Sequence, residues 1–242
     1  MIVYIFGLAY IVMTIILLVL VSQYHNEKYA YRLGDIIKGY IKQNEPENFK
    51  WHSIEHPESI AAKYIKSTKE DNNLDVLTKI INEPEYIPFH NNDANSLAIH
   101  LRTGDIIDDY TEHSIQDLLE KSGLVQHAGL SYVKTKEYYK NVIKKIKEYN
   151  KNSGTKITKI IFVTGFHMPY GNRSNNRSIE YISEVLKIFN DNNFKNIDVR
   201  IGNHPDNDFV FMTTSKHFAP SGGGFSQIIR DIVIKNGGKN YE

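Results

Sequence analysis

His100-Leu101-Arg102-Thr103-Gly104-Asp105 brings an imidazole, a guanidinium and a carboxylate into one short run, directly after the apolar stretch Ser96-Leu97-Ala98-Ile99. The apolar stretch reads as a buried strand. A basic side chain at the carboxyl end of a parallel strand is where open α/β sheets bind anionic ligands. Arginine suits this task, because its planar fork of donors fits a phosphate bidentately and stays charged. Gly104 permits a turn that a β-carbon would obstruct. Asp105 can hold the arginine or accept from loop amides. A surface turn closed by the Gly-Asp pair is the competing reading of these residues alone.

A second run has the same flavour. Asp208-Phe209-Val210-Phe211-Met212 leads through Ser215-Lys216-His217-Phe218 to Ala219-Pro220-Ser221-Gly222-Gly223-Gly224-Phe225-Ser226-Gln227-Ile228-Ile229-Arg230. The pattern predicts a helical patch, a short strand, a glycine-rich bend and then an amphipathic helix. Free N–H groups at a helix N-terminus, with the positive end of its dipole, form an anion site. The glycines let the backbone approach a ligand closely, and Ser221 and Ser226 add hydroxyl donors. An ordinary strand-to-helix turn is the plainer alternative.

Together the two runs resemble the motifs of the fucosyltransferase superfamily that uses GDP-fucose, which includes α-1,2-, α-1,6- and protein O-fucosyltransferases. His100, Arg102, Gly104 and Asp105 fit its His-x-Arg-x-Gly-Asp signature. Asp208, Met212, Ser215, Lys216, His217, Ser221, Phe225 and Ser226 resemble its second signature in order and spacing. The likeness covers roughly residues 95–235 and is specific in two short blocks.

The resemblance implies that Arg102 binds the donor diphosphate, that His100 and Asp208 contact the nucleoside, and that Ser226, Gln227 and the glycines 222–224 form the phosphate turn. The expected catalytic residues are Arg102 and Asp105, with Asp108, Asp109 and His167 as further candidates for the general base. The expected binding residues are His100, Gly104, Thr164, Gly165, Asp208, Ser221, Gly222, Gly223, Gly224, Phe225, Ser226 and Gln227. The reaction implied is inverting transfer of fucose from GDP-fucose to a glycan hydroxyl, with no cofactor and no metal. Two alternatives stand beside it: a module that binds a nucleotide or glycan without turnover, and a transferase using another sugar nucleotide. Asp206-Asn207-Asp208 has the spacing of a metal-held diphosphate site, but after Pro205 it reads as a helix cap. With ten histidines and no cysteine, no cluster has zinc spacing.

These residues need elements to hold them. From Ser96 onward strands alternate with helices: strands at 97–101, 157–164 and 197–201, helices at 114–122, 136–150 and 179–189. Such alternation implies a parallel sheet with right-handed crossovers. Gly165-Phe166-His167 then falls on the same edge as His100 and Arg102. The fold expected is α/β, a Rossmann-like parallel sheet over residues 95–242. The resemblance likens it to the donor-binding half of a GT-B glycosyltransferase. Residues 24–94 read as mainly helical, with segments over 34–43, from Pro57 through Ile65 and over 74–81, and are expected to form a reduced acceptor-side lobe.

Residues 1–23 read as a transmembrane anchor. From Ile2 to Val21 no side chain is charged, and about 20 apolar residues span a bilayer core. Lys28, Arg32, Lys38 and Lys42 follow the span, which by the positive-inside rule places the globular part in the cytoplasm. Membrane-anchored members of the resembled superfamily place it in the lumen, so the side stays open. The net charge of +1 argues against a nucleic-acid partner held by counterion release. Lys134-Thr135-Lys136 and Lys144-Lys145-Ile146-Lys147 read as a solvated helix face. His217, Trp51, Tyr138 and Tyr139 read as core residues.

Overall fold

Leu97-Ala98-Ile99 and Ile160-Ile161-Phe162-Val163 are apolar at consecutive positions, so strands built from them need cover on both faces. The computed structural model supplies it. It describes residues 50–51, 60–68, 73–127, 130–165, 176–201 and 203–242, all within the unit Asn44–Glu242. The expected anchor over 2–21 and helix over 34–43 lie outside the described residues. Among the described residues no helix is long and apolar enough to cross a membrane.

The strands are β1 (Lys50–Trp51), β2 (Ser96–Leu101), β3 (Gln126–His127), β4 (Leu130–Ser131), β5 (Lys159–Thr164), β6 (Ile197–Ile201), β7 (His217–Ala219) and β8 (Lys239–Asn240). Six of them form one sheet in the order β1-β6-β5-β2-β7-β8. Every pairing in it is parallel. Strands β3 and β4 form a separate antiparallel hairpin. The central register runs from Ser96↔Lys159 to Leu101↔Thr164 on one side of β2, and Ala98↔Phe218, Ile99↔Ala219 on the other.

The helices are α1 (Ile60–Ser67), α2 (Leu74–Ile81), α3 (Asp105–Asp108), α4 (Ile115–Glu120), α5 (Lys136–Asn152), α6 (Asn176–Asp191), α7 (Pro205–Thr213) and α8 (Gly224–Lys235). Strand alternation divides them. Ala98, Ile161, Val163 and Phe218 point to one face, where they share a core with Ile60, Leu77, Ile80, Phe209, Met212, Ile229 and Ile232 of α1, α2, α7 and α8. The described helices of the 24–94 region therefore pack into the same core as the sheet. On the other face Phe162 meets Phe189 of α6 edge-on at 5.2 Å, and Tyr139 of α5 meets the same ring at 6.2 Å. In α5 the buried Tyr139, Val142, Ile143 and Ile146 recur at helical spacing, and Lys136, Lys144, Lys145 and Lys147 are exposed. Thr135 caps this helix by accepting the Tyr138 N–H at 3.4 Å.

The chain steps from β2 outward to β5 and β6, then returns past β2 to β7 and β8. This is a doubly wound, Rossmann-like arrangement. Its direction reverses between β2 and β7, and the crevice left at the carboxyl ends of such neighbours is where open α/β sheets bind ligands.

Two edge strands and one helix depart from the sequence expectation. β1 and β8 are each two residues long, too short to show a periodicity, and are placed by their parallel pairing with β6 and β7. Residues 105–108, which follow the Gly-Asp pair and carry no helical pattern in the sequence, form a turn of helix because Gly104 and Ser178 hold its start.

Phe162 is fully buried at the sheet centre. Phe162→Ala is expected to lower unfolding free energy by about 3–5 kcal/mol, read from the midpoint of a urea titration.

Candidate functional site

β2 ends at Leu101 and delivers Arg102 to the carboxyl edge. The next residues are pinned from below. Thr103 Oγ1 donates to the Gly165 carbonyl at 2.8 Å, so the Thr164 hydroxyl donates to Thr103 at 2.7 Å. This ties the ends of β2 and β5 together. Gly104 turns with φ 79°, a value that favours glycine. Its N–H donates to Ser178 Oγ at 2.9 Å, and Ser178 donates in turn to Asp108 Oδ2 at 2.6 Å. Burial pushes the Asp108 carboxyl above its ordinary range, while the Ser178 bonds draw it back. Arg177 donates to the carbonyls of Ile107 at 3.0 Å and Tyr110 at 2.9 Å, and also to that of His113. The start of α6 thus clamps the whole loop behind Arg102.

The glycine bend is shaped from the other side. Gly223 has φ 92° and ψ 161°, a region that essentially only glycine visits. A β-carbon there would stand 2.6 Å from Tyr132 Cε1. The Gly222 N–H donates to the Tyr132 carbonyl at 3.2 Å. Helix α8 then opens, and the Gln227 N–H makes its first backbone bond, to Gly223 O at 3.2 Å. The N–H groups of Gly224, Phe225 and Ser226 precede that bond and lie at the positive end of the helix.

His100 joins the two segments. Its Nδ1 lies 2.8 Å from Ser221 Oγ and 3.1 Å from Ser226 Oγ. Ser226 Oγ also accepts the Ser221 N–H at 2.9 Å, and the Ser221 hydroxyl has the Gly222 carbonyl at 3.4 Å as a further acceptor. Burial, aided by the nearby Arg102 charge, pushes the imidazole down to about 3. The ring is neutral at neutral pH.

Between these parts lies a cleft of about 530 Å³, within the size range of small-molecule sites. Of the expected residues, His100, Arg102, Thr164, Gly165, Asp208 and Gly222–Phe225 line it. Gly104 and Asp105 stand behind Arg102, and Arg102 Nη2 donates to Asp105 Oδ1 at 3.0 Å. Ser221 and Ser226 stand behind His100, their hydroxyls turned to its ring. Gln227 lies on a separate hollow with Leu74, Ile228 and Asp231.

Asp208 is buried at the cleft floor, accepting from Arg200 Nε at 3.1 Å and Asn203 Nδ2 at 3.4 Å. Burial pulls the Arg200 guanidinium below its ordinary value, and Asp208 opposes that pull. Asp206 turns elsewhere and accepts the Ile60 N–H at the start of α1 at 2.9 Å. The two carboxylates of Asp206-Asn207-Asp208 thus serve different partners. The cap of α7 is His204, whose side chain accepts the Asp206 N–H at 3.3 Å. Pro205 occupies the first helical position, which puts the cap at His204, two residues before Asp206.

His217 is buried against Tyr149 and Tyr241, with Nδ1 3.1 Å from the Tyr241 hydroxyl, and burial lowers its pKa. The Tyr139 hydroxyl meets that of Tyr181 in the core at 2.8 Å. His167 and the side chain of Trp51 lie outside the described residues. Tyr132, Asn203 and Met212 also line the cleft. Tyr132 carries no sequence signal, standing in an irregular stretch. Asn203 stands just ahead of the second motif, and Met212 belongs to it without being among the expected binding residues.

No family model, no curated protein and no solved structure matches the chain significantly.

Substitutions at adjacent glycines separate strain from space. Gly223→Ala is expected to cost about 1–3 kcal/mol. Gly224→Ala, whose β-carbon would meet nothing within 4 Å, is expected to leave the melting midpoint unchanged or higher. Acid sensitivity follows from the histidines. In the unfolded chain His100 titrates near 6.5, but folded only near 3. Between those values the unfolded chain binds the extra proton, so this contribution is intact above about pH 6.5 and is lost as pH falls toward 3. His217 has the same sign. His100→Gln should flatten the fall in denaturation midpoint between pH 6.5 and 4; an unchanged slope would count against a neutral, buried ring.

Proposed function

We propose that the cleft binds a sugar nucleotide and that the chain is a glycosyltransferase, with GDP-fucose as donor and a glycan hydroxyl as acceptor. One observation carries this reading: Arg102 and the open N-terminus of α8 line a single cleft at the switch point between β2 and β7. An anion placed there meets a guanidinium fork, a helix dipole and amides ahead of the first helical bond. As the glycosidic bond breaks, negative charge grows on the leaving diphosphate. Fixed donors aimed at that charge supply a large part of the acceleration in such reactions. The neutral imidazole of His100 lines the same wall. Asp208 offers a carboxylate, held by Arg200, to the N–H groups of a nucleobase. In this reading Arg102 and the helix end supply the positive potential without a metal. Residues 2–21 tether the chain to a membrane, and the helical region before residue 95 contributes to the acceptor side.

One observation favours a second reading. Asp105 bonds Arg102, Asp108 bonds Ser178 and Asp208 bonds Arg200, so these carboxylates are committed to neighbours rather than poised as a base. That suits a module which holds the nucleotide without turnover. Slow release of GDP from GDP-fucose without acceptor favours the enzyme, and tight binding without release favours the module.

Thermal-shift screening against GDP-, UDP- and CMP-sugars tests the donor class, since ligand binding raises apparent stability. Arg102→Ala is expected to lower turnover by about 10²–10³-fold or more with an unchanged melting curve. Arg102→Lys should also be poor, because a point charge does not replace the planar fork. A fully active Arg102→Ala protein would remove Arg102 from the mechanism.

A further inference from the structure

Tyr132 belongs to neither motif, yet its segment is strapped to the glycine bend at separate points. Its carbonyl accepts the Gly222 N–H at 3.2 Å. Its ring edge fills the space beside Gly223, with Cε1 2.6 Å and Cδ1 3.0 Å from where a β-carbon would stand. Further along, the Tyr138 hydroxyl donates to the Pro220 carbonyl at 2.5 Å. The ring is only half-buried and borders the cleft. The missing side chain at 223 admits an aromatic ring beside the first amides of α8.

We propose that Tyr132 is the platform for the pyranose carried on the distal phosphate, and so a specificity-determining residue of the cleft. The inference rests on the sugar-nucleotide reading above. A sugar nucleotide is linear, with the diphosphate between base and sugar. Arg102 and the start of α8 take the diphosphate. Asn203, Asp208 and Met212 gather at or just before α7 and offer a carboxylate, an amide and an apolar wall, the chemistry that suits a base. Two aromatic rings border the cleft beside the glycines, Tyr132 and Phe225. Phe225 is the first-turn neighbour of His100 and Phe209, and Tyr132 is the one strapped to the bend itself. A pyranose presents a face of C–H groups, which packs on an aromatic ring while its hydroxyls keep polar partners. Gly223 and Tyr132 then act as a matched pair: the glycine makes room for the ring, and the ring meets the sugar.

The test separates the sugar from the rest of the ligand. Affinities of the full chain and of Tyr132→Phe and Tyr132→Leu are measured for GDP and GDP-fucose, with UDP and UDP-glucose as a second matched pair. The backbone bond from Gly222 survives both substitutions. Tyr132→Leu is expected to weaken the sugar nucleotide about tenfold and to leave the nucleoside diphosphate unchanged, while Tyr132→Phe retains both. Equal weakening of both probes would mean that the ring only supports the bend, and no weakening of either would equally overturn the proposal. If the unsubstituted chain binds neither pair, the sugar-nucleotide reading itself fails and this inference falls with it. Should Tyr132→Leu not fold, saturation-transfer NMR on the unsubstituted chain decides. Saturating aromatic protons must then reach the fucose protons of GDP-fucose, and transfer to the base and ribose alone would sink the idea.

Discussion

The contact between His100 and the two serines of the glycine bend organises the cleft. β2 and β7 pair only as far as Ala98↔Phe218 and Ile99↔Ala219. Beyond that point the chains diverge, one into the Arg102 loop and the other into the bend before α8. Divergence makes the crevice, but alone it would leave both rims free to move. His100 reaches across through Nδ1 to Ser221 and Ser226. It fixes the distance between Arg102 and the helix N-terminus, which is the quantity an anion would read. The ring does this while neutral. A charged imidazole would lie buried beside a guanidinium, and both desolvation and repulsion oppose that state.

The bend needs a second constraint, because three glycines in a row have no shape of their own. Here each is used differently. Gly222 gives its N–H to Tyr132 O. Gly223 takes a backbone conformation closed to other residues, and Gly224 begins the helix. Tyr138 holds Pro220 from α5. The bend is therefore gripped by the segment leading into α5 as well as by His100. The rigidity of the helix end comes from long-range contacts, not from local propensity.

That division explains what the sequence reveals. Consecutive apolar residues at 97–99 and 160–163 announce strands covered on both faces, and the stripe of Tyr139, Val142, Ile143 and Ile146 announces α5, because burial periodicity is written locally. The motif residues Arg102 and Gly222–Phe225 were legible as anion-binding chemistry, and strand order brings them to one edge. Tyr132 was not legible. Its importance arises from a glycine far along the chain that lacks a β-carbon. The serines illustrate the converse. Ser221 and Ser226 read as donors for a ligand, but the structure places both hydroxyls against Nδ1 of His100, where they hold the bend rather than line the cleft. β1 and β8 are backbone-paired edges whose side chains carry no pattern to find.

The two arginines near the cleft differ in a way that bears on binding. Arg200 and Asp208 are a buried pair, with side chains 4% and 10% exposed. Removing either partner would strand a buried charge, a loss of several kcal/mol, on the order of 3–5. That pair is part of the floor and stays. Arg102 and Asp105 are 28% and 49% exposed, and a pair so open to water contributes only about 0–1 kcal/mol. If the cleft takes a phosphate as proposed, that anion competes with Asp105 on easy terms, since it can meet the planar fork bidentately and reach the helix end as well. In the proposed function the carboxylate keeps the guanidinium at the rim until a stronger anion displaces it, so that one pair exchanges while the other holds the shape of the cleft.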